Sequence, residues 1–407
     1  MRVSVVMVMG MGMPVRMAMA VAMAVTMVVP MRVAVGMAVP GAAMRVALPA
    51  PGCRIHADVI VYRPRGRQAG RALHGARQDA RSRRHRGRDM QHAATEAFVT
   101  RETEAILARL RAAPAIDWAS MPIGEARDLF HRNNAYWNEP VIELAGAGEF
   151  AIPGEGHAMR ARLYRPSSAP SLPVLLYAHG GGWTFGSVDS HDRFMRLLAR
   201  ESGAAVLGID YRLAPEHPFP AGMRDTLAAI AWLRREGAAH GLDPSRLALG
   251  GDSAGANIAL SAMLALRDEG GAGLAGAVLF YGCYAPMHDT PSHRRFGGGA
   301  FGLSTERMRW YWRNHLGALP EHTTALAVPL RADLRGLPRL FLNAAGLDPL
   351  LDDTLEMAAR LAHAGTPAEI DLVPGVLHGC MQQTREEPAA MASALRAARY
   401  LREILAA

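Results

Sequence analysis

A serine between two glycines, where a strand should hand over to a helix, is where the residue spacing first points to chemistry. Gly251-Asp252-Ser253-Ala254-Gly255 fits G-x-S-x-G, follows the apolar run Leu247-Ala248-Leu249 and precedes a stretch of helical spacing over 254–266. In that context the pattern is a nucleophile elbow, a strained turn that exposes the serine hydroxyl and needs small neighbours because backbone segments come close together. An ordinary glycine-rich strand-to-helix turn could carry the same five residues, so the pentapeptide needs partners before it means acyl transfer.

Those partners are present. His179-Gly180-Gly181-Gly182-Trp183 follows a predicted strand ending at Ala178, and its consecutive glycines leave backbone N–H groups open to a ligand. Joined by the N–H of Ala254, they would bind the negative charge of a tetrahedral intermediate, where one donor is worth about 3–4 kcal/mol. Phosphate binding is the competing reading, and it is weak. The chain has no lysine for a G-x-x-x-x-G-K-[ST] loop, and no G-x-G-x-x-G opens a helix with an acidic residue beyond it. A serine nucleophile also needs a base and a carboxylate to orient that base, in the chain order Ser, acid, His. Asp348, in Gly346-Leu347-Asp348-Pro349-Leu350, and His378, in Leu377-His378-Gly379, each stand just beyond a predicted strand. Asp352 and Asp353 are rivals for the acid, but they fall inside the next helix and would point away.

Helix and strand must alternate to place these groups at one sheet edge, and they do. Strands are expected over 142–151, 158–164, 173–178, 204–209, 247–249, 276–281, 339–343 and 368–372. Helices are expected over 97–112, 124–133, 192–201, 223–235, 254–266, 351–362 and 388–405. This is the pattern of an α/β fold, a mostly parallel central sheet with helices on both faces. The stretch 283–334 breaks the alternation and holds a helical piece over 305–315. With the N-terminal helices it would roof the site as a cap built from about 90–140 and 283–335. Phe185, Phe296, Phe301 and the Trp310-Tyr311-Trp312 cluster are pocket candidates, the cluster favouring core packing.

Composition sorts the remaining possibilities. The chain has 407 residues, 50% of them hydrophobic, enough to bury a sizeable core. Its net charge of +8 would suggest an anionic partner if it were spread over the surface. Residues 1–89 hold 15 Arg and only 3 Asp, which leaves 30 basic and 34 acidic residues for the other 318 positions. The globular part is therefore mildly acidic, and nucleic acid is not an expected partner. Residues 1–50 are a monotonous mix of Met, Val, Ala and Gly, and 53–89 are Arg-rich without an apolar face. The longest uncharged run, 15 residues between Arg16 and Arg32, is short of the ~18–20 needed to span a bilayer, and no clear signal-peptide cleavage site follows it. The expectation is that residues 1–89 are a disordered or non-native leader, that Met90 is the true start, and that 90–407 form one catalytic domain in the cytoplasm. Three scattered cysteines, Cys53, Cys283 and Cys380, argue against a disulfide framework or a metal cage.

Taken with Asp210-Tyr211-Arg212-Leu213-Ala214-Pro215-Glu216-His217-Pro218-Phe219-Pro220-Ala221 and Gly250-Gly251-Asp252-Ser253-Ala254-Gly255-Ala256-Asn257, these motifs resemble the hormone-sensitive-lipase-like esterases of the α/β-hydrolase superfamily. The resemblance runs from about Met90 to the C-terminus. It implies Ser253 as nucleophile, His378 as general base and acid, Asp348 as its orienter, and the N–H groups of Gly181, Gly182 and Ala254 as the oxyanion hole. It further implies that Tyr211 to Glu216 brace the surrounding loops, with Trp183 and Phe185 as substrate-binding candidates. Where the family often has an aromatic after the histidine, this chain has Cys380-Met381. The expected reaction is hydrolysis of short-to-medium acyl esters through an acyl-enzyme, with a small-molecule ester as partner, no cofactor, no metal and no stable membrane insertion. An amide or lactone hydrolase on the same triad, and a non-catalytic small-molecule receptor on the same fold, are the alternatives. A homodimer is left open.

Overall fold

Apolar runs spaced along the chain become neighbouring strands of one sheet. The computed structural model describes residues 97–114, 116–271, 273–320 and 324–406, so the expectations for residues 1–89 and for a start at Met90 lie outside the described residues. Among the described residues the strands are β1 (Gly146–Pro153), β2 (Ala158–Arg165), β3 (Leu172–Ala178), β4 (Ala205–Ile209), β5 (Leu242–Asp252), β6 (Leu274–Phe280), β7 (Leu340–Leu347) and β8 (Ala368–Leu377). They lie in the order β1-β2-β4-β3-β5-β6-β7-β8, antiparallel at β1/β2 and β2/β4 and parallel from β4 onward.

The central strands read as unbroken apolar runs because both faces are covered. In β3, Val174, Leu176 and Ala178 join one core and Leu175 and Tyr177 the other, following the two-residue period of a strand. The first core takes α4 (Ala221–Glu236), α5 (Ala254–Asp268) and α8 (Leu351–Ala364), and the second takes α3 (Asp192–Ser202) and α9 (Pro388–Ala406). Two further pieces add to this frame. They are α1 (Arg101–Ala112) with α2 (Ile123–Asn138), and the connection from β6 to β7, which carries α6 (Pro291–Phe296) and α7 (Thr305–Leu316). Ile106 and Leu107 of α1 pack on Phe296, Leu347 and Leu377, where β7 and β8 end. No helix among the described residues is long and apolar enough to cross a membrane.

Several boundaries differ from the sequence expectation, each for a local reason. Helix α1 starts at Arg101 because the Thr100 hydroxyl accepts the Thr103 N–H at 3.0 Å and caps it, leaving Phe98 outside and 67% exposed. Strand β1 begins at Gly146, the partner of Arg165, because β2 ends there and residues 142–145 have nothing to pair with. Helix α6 was not anticipated; it is a six-residue piece capped by the Thr290 hydroxyl with Pro291 at its first position. Strands β7 and β8 run on to the pair Leu347 and Leu377, past a register shift after Ala345. That extension matters for the site, because the next residues along the two strands are Asp348 and His378.

Candidate active site

Ser253 stands at the join of β5 and α5 with φ 54° and ψ −116°, a conformation that L-residues rarely adopt. The turn holds because its neighbours lack side chains. A Cβ on Gly255 would overlap the carbonyl of Ala178, and one on Gly251 would overlap Gly255 and lie 2.8 Å from the Ala178 carbonyl oxygen. The Ser253 N–H donates to the Phe280 carbonyl at 2.9 Å, which ties the turn to β6.

The paired ends of β7 and β8 bring the other two groups to the serine. His378 Nε2 lies 2.9 Å from Ser253 Oγ, and His378 Nδ1 lies 2.7 Å from Asp348 Oδ2. Asp348 is fully buried, and its Oδ1 accepts the Leu350 N–H at 2.8 Å. The three residues thus form one hydrogen-bonded chain from carboxylate through imidazole to hydroxyl, the arrangement that lets a base draw the serine proton. The rival carboxylates are engaged elsewhere. Asp352 accepts the Ser292 N–H, and Asp353 accepts the N–H groups of Tyr284 and Ala285. Burial, the largest influence on it, pushes the Asp353 carboxyl up to about 8.

The glycine loop lies beside this chain. Gly181 and Gly182 line the same cavity as Ser253 and His378, with φ 120° and 61°. Among the described residues no protein acceptor takes the N–H groups of Gly181, Gly182 or Ala254. Ala254 opens helix α5, so its N–H sits at the positive end of the helix dipole. A Cβ on Gly182 would overlap the ring of Tyr311 in α7. The loop is braced from behind: the Tyr211 hydroxyl donates to the His179 carbonyl at 2.8 Å, and the Ala214 N–H to the Trp183 carbonyl at 2.8 Å. Arg127 of α2 donates to the Thr184 carbonyl and pairs with Glu216. Burial pushes His179 down to about 3, so the ring is neutral and packs against Tyr211 with 4.4 Å between centroids.

The cavity is about 280 Å³ in volume and is walled in part by the N-terminal helices and the β6–β7 connection. Leu110, Phe130, Asn134 and Trp137 come from α1 and α2, and Phe301, Leu303, Arg307, Met308 and Tyr311 from the β6–β7 connection. Of the aromatic candidates Phe301 and Tyr311 line it. Trp183 and Phe185, expected to bind substrate, are not among the residues that line it. Trp183, at φ 58°, is turned into the core to stack on His315 at 4.0 Å and pack on Trp312 at 4.7 Å. Phe185 is fully buried between Phe130 and Trp118, each at 5.3 Å. Phe296 likewise belongs to the small core under α1, and Trp312 is fully buried. Gln382 and Gln383 also line the cavity, and no sequence signal marked them. Cys380 and Met381, which replace the family's aromatic, are fully buried in the core under α3 and α9.

The inventory of other chemistry is short. Among the described residues no group of three or more His, Cys, Asp or Glu is arranged to hold a metal ion. Cys283 and Cys380 are free thiols, and burial pushes both well above the usual range, which makes them poor nucleophiles.

Comparison with known proteins identifies the fold. A profile of the α/β-hydrolase fold family matches residues 175–382. An α/β-hydrolase enzyme from the metagenome of Lake Arreo, Spain, is 33% identical over 76% of this chain and 99% of its own, with a TM-score of 0.71. A hyperthermophilic esterase from the archaeon Pyrobaculum calidifontis is 30% identical over 76% of this chain and 100% of its own, at 0.73. A thermostable esterase from Pseudomonas putida is 27% identical over 77% and 99%, at 0.72. A match of this breadth places the chain in the hormone-sensitive-lipase-like esterase family of the α/β-hydrolase superfamily.

Proposed function

We propose that the protein is a serine carboxylesterase in which Ser253 is the nucleophile, His378 the general base and acid, and Asp348 the orienting carboxylate. The observation that carries the reading is the continuous hydrogen-bonded chain from Asp348 through His378 to Ser253. His378 Nε2 takes the hydroxyl proton as Ser253 Oγ attacks the ester carbonyl, and the carbonyl oxygen becomes an oxyanion held by the N–H groups of Gly181, Gly182 and Ala254. The imidazolium, steadied by Asp348, then gives that proton to the departing alcohol. Water, deprotonated by the same ring, attacks the acyl-enzyme, and collapse of the second intermediate returns the proton to Ser253 and releases the acid.

The cavity supports a short-to-medium acyl range. A volume of about 280 Å³ walled by Leu110, Phe130, Trp137, Phe301, Leu303 and Met308 suits an apolar acyl chain of short to medium length. The test is a series of para-nitrophenyl esters of rising chain length, with the matched anilides, run on the wild type and on Ser253→Ala. Turnover should peak at short chains without a jump at the substrate's solubility limit. Ser253→Ala should lose several orders of magnitude in kcat, since members of such a unit are not additive. Retention of more than a tenth of the activity in Ser253→Ala would refute the assignment, and a sharp rise at the solubility limit would indicate a lipase instead.

A further inference from the structure

The residue immediately before the nucleophile has a carboxylate that the acyl-transfer steps above do not use. Asp252, the last residue of β5, is buried, 4% exposed, on the wall of the Ser253 cavity. Its Oδ1 accepts two hydrogen bonds, from the Gly180 N–H at 2.9 Å and from the Tyr177 hydroxyl at 2.8 Å. Its Oδ2 lies 3.4 Å from His191 Nε2, and His191 Nδ1 lies 2.8 Å from Ser190 Oγ. The Gly180 N–H also approaches His191 Nε2 at 3.3 Å. Gly180 has to be a glycine here, because a Cβ would overlap the Asp252 carboxylate.

The position of this contact is informative. Gly180 directly precedes Gly181 and Gly182, which line the cavity and whose N–H groups are the proposed oxyanion donors, and Asp252 directly precedes Ser253. One buried carboxylate therefore spans the two segments whose separation sets the distance from nucleophile to oxyanion donors. The charge is kept there against the usual penalty. Burial alone would raise the carboxyl, but His191 and the Tyr177 hydroxyl outweigh it, and the group lies below its ordinary value. A hydrogen bond to an ionised acceptor is also about twice as strong as a neutral one.

We propose that Asp252 is a positioning residue for ester hydrolysis: its carboxylate fastens the peptide of Gly180 to the end of β5, so that the Gly181 and Gly182 N–H groups and Ser253 Oγ keep one fixed geometry through the reaction. The proposal rests on the reading of Ser253 as nucleophile. It extends that reading by naming what holds the donors in register, since a displacement of about 1 Å at a reacting centre can cost about a hundredfold in rate.

The experiment compares Asp252→Ala, Asp252→Asn and Gly180→Ala with the wild type on para-nitrophenyl butanoate. It also measures binding of an alkyl boronic acid, whose adduct with Ser253 places an oxygen in the donor site, and of an unreactive ketone shaped like the ground state. Asp252→Ala should lower kcat by about a hundredfold and weaken the boronic acid by a similar factor, with KM and ketone affinity within about threefold. Asp252→Asn keeps an oxygen for Gly180 and Tyr177 and should restore most of the kcat. Gly180→Ala leaves the carboxylate in place but pries it from the loop, and should reproduce the selective loss. If folded Asp252→Ala keeps kcat and boronic acid affinity within threefold of wild type, or loses ketone and boronic acid equally, the proposal is overturned. If both alanine variants fail to fold by circular dichroism, Asp252 belongs to the fold and the proposal is overturned as well. A wild type with no Ser253-dependent turnover would instead overturn the esterase reading on which it rests.

Discussion

Replacing Asp348 by Asn should remove most turnover without unfolding the protein, and the reason lies in one backbone N–H. Asp348 Oδ1 accepts the Leu350 N–H at 2.8 Å while Oδ2 faces His378 Nδ1 at 2.7 Å. An amide keeps a single acceptor. If its oxygen stays on Leu350, its NH2 faces Nδ1, which must then accept. The ring hydrogen moves to Nε2, the atom 2.9 Å from Ser253 Oγ, and a protonated Nε2 cannot take the serine proton. Turned the other way, the amide sets two donors face to face at a fully buried site, at a cost of about 1–3 kcal/mol. That bias alone leaves the competent tautomer about 5- to 150-fold depleted. Loss of the charge that steadies the imidazolium adds the rest, and in the trypsin-like triad the same substitution lowers kcat about ten-thousandfold, or about 5 kcal/mol. A loss of about three to four decades in kcat is expected here, with the melting temperature within a few degrees of wild type. The assay is release of para-nitrophenolate at saturating substrate alongside a thermal melt. More than a tenth of the wild-type kcat would show that the Leu350 contact does not set the tautomer.

Three further outcomes are expected. Gly255→Ala should destabilise the protein by at least about 2 kcal/mol in urea unfolding, because its Cβ overlaps the Ala178 carbonyl and lies 2.7 Å from that of His179, both backbone; an unchanged midpoint would mean the turn opens freely. With Asp353 raised to about 8 and an unfolded aspartate near 4, the native state holds a proton that the unfolded chain has lost between those values, so this contribution to stability falls as pH rises through the window. Asp353→Asn keeps an acceptor for Tyr284 and Ala285 and should flatten that slope in thermal melts; an unaltered slope would place the titration elsewhere. A protein begun at Met90 should keep kcat/KM within error, since every residue of the hydrogen-bonded site lies well beyond that point, and a several-fold loss would give residues 1–89 a part in the reaction.

The candidate site could be read from the chain because each of its residues sits next to a buried strand end. Ser253, Asp348 and His378 directly follow β5, β7 and β8, and a strand end is announced by its apolar run. The cavity wall has no such local marker. Trp183 and Phe185 adjoin the glycine loop in sequence, yet neither lines the cavity; a positive φ at Trp183 and aromatic partners from α2 and α7 hold both rings in the packed interior. Leu110, Phe130 and Trp137 reach the site only through tertiary packing, so helical spacing alone could not nominate them. The start of α1 is different, since Thr100 before an acidic first turn is a recognisable cap that could have been read in advance.

The close approach of Gly182 to the Tyr311 ring has a consequence for how such enzymes diversify. Under the proposed function, Tyr311 both lines the substrate cavity and presses on Gly182 of the proposed oxyanion loop, so specificity and turnover are not independently heritable traits along α7. A helix transplanted there from a relative would bring its own side chain against the glycine loop, and a broader substrate range would come at the expense of rate. Leu110, Asn134 and Trp137 line the cavity from α1 and α2, where variation can broaden the range with less disturbance to the glycine loop. Directed evolution of this scaffold should therefore accept changes on α1 and α2 early and changes at Tyr311 only with compensation at the loop.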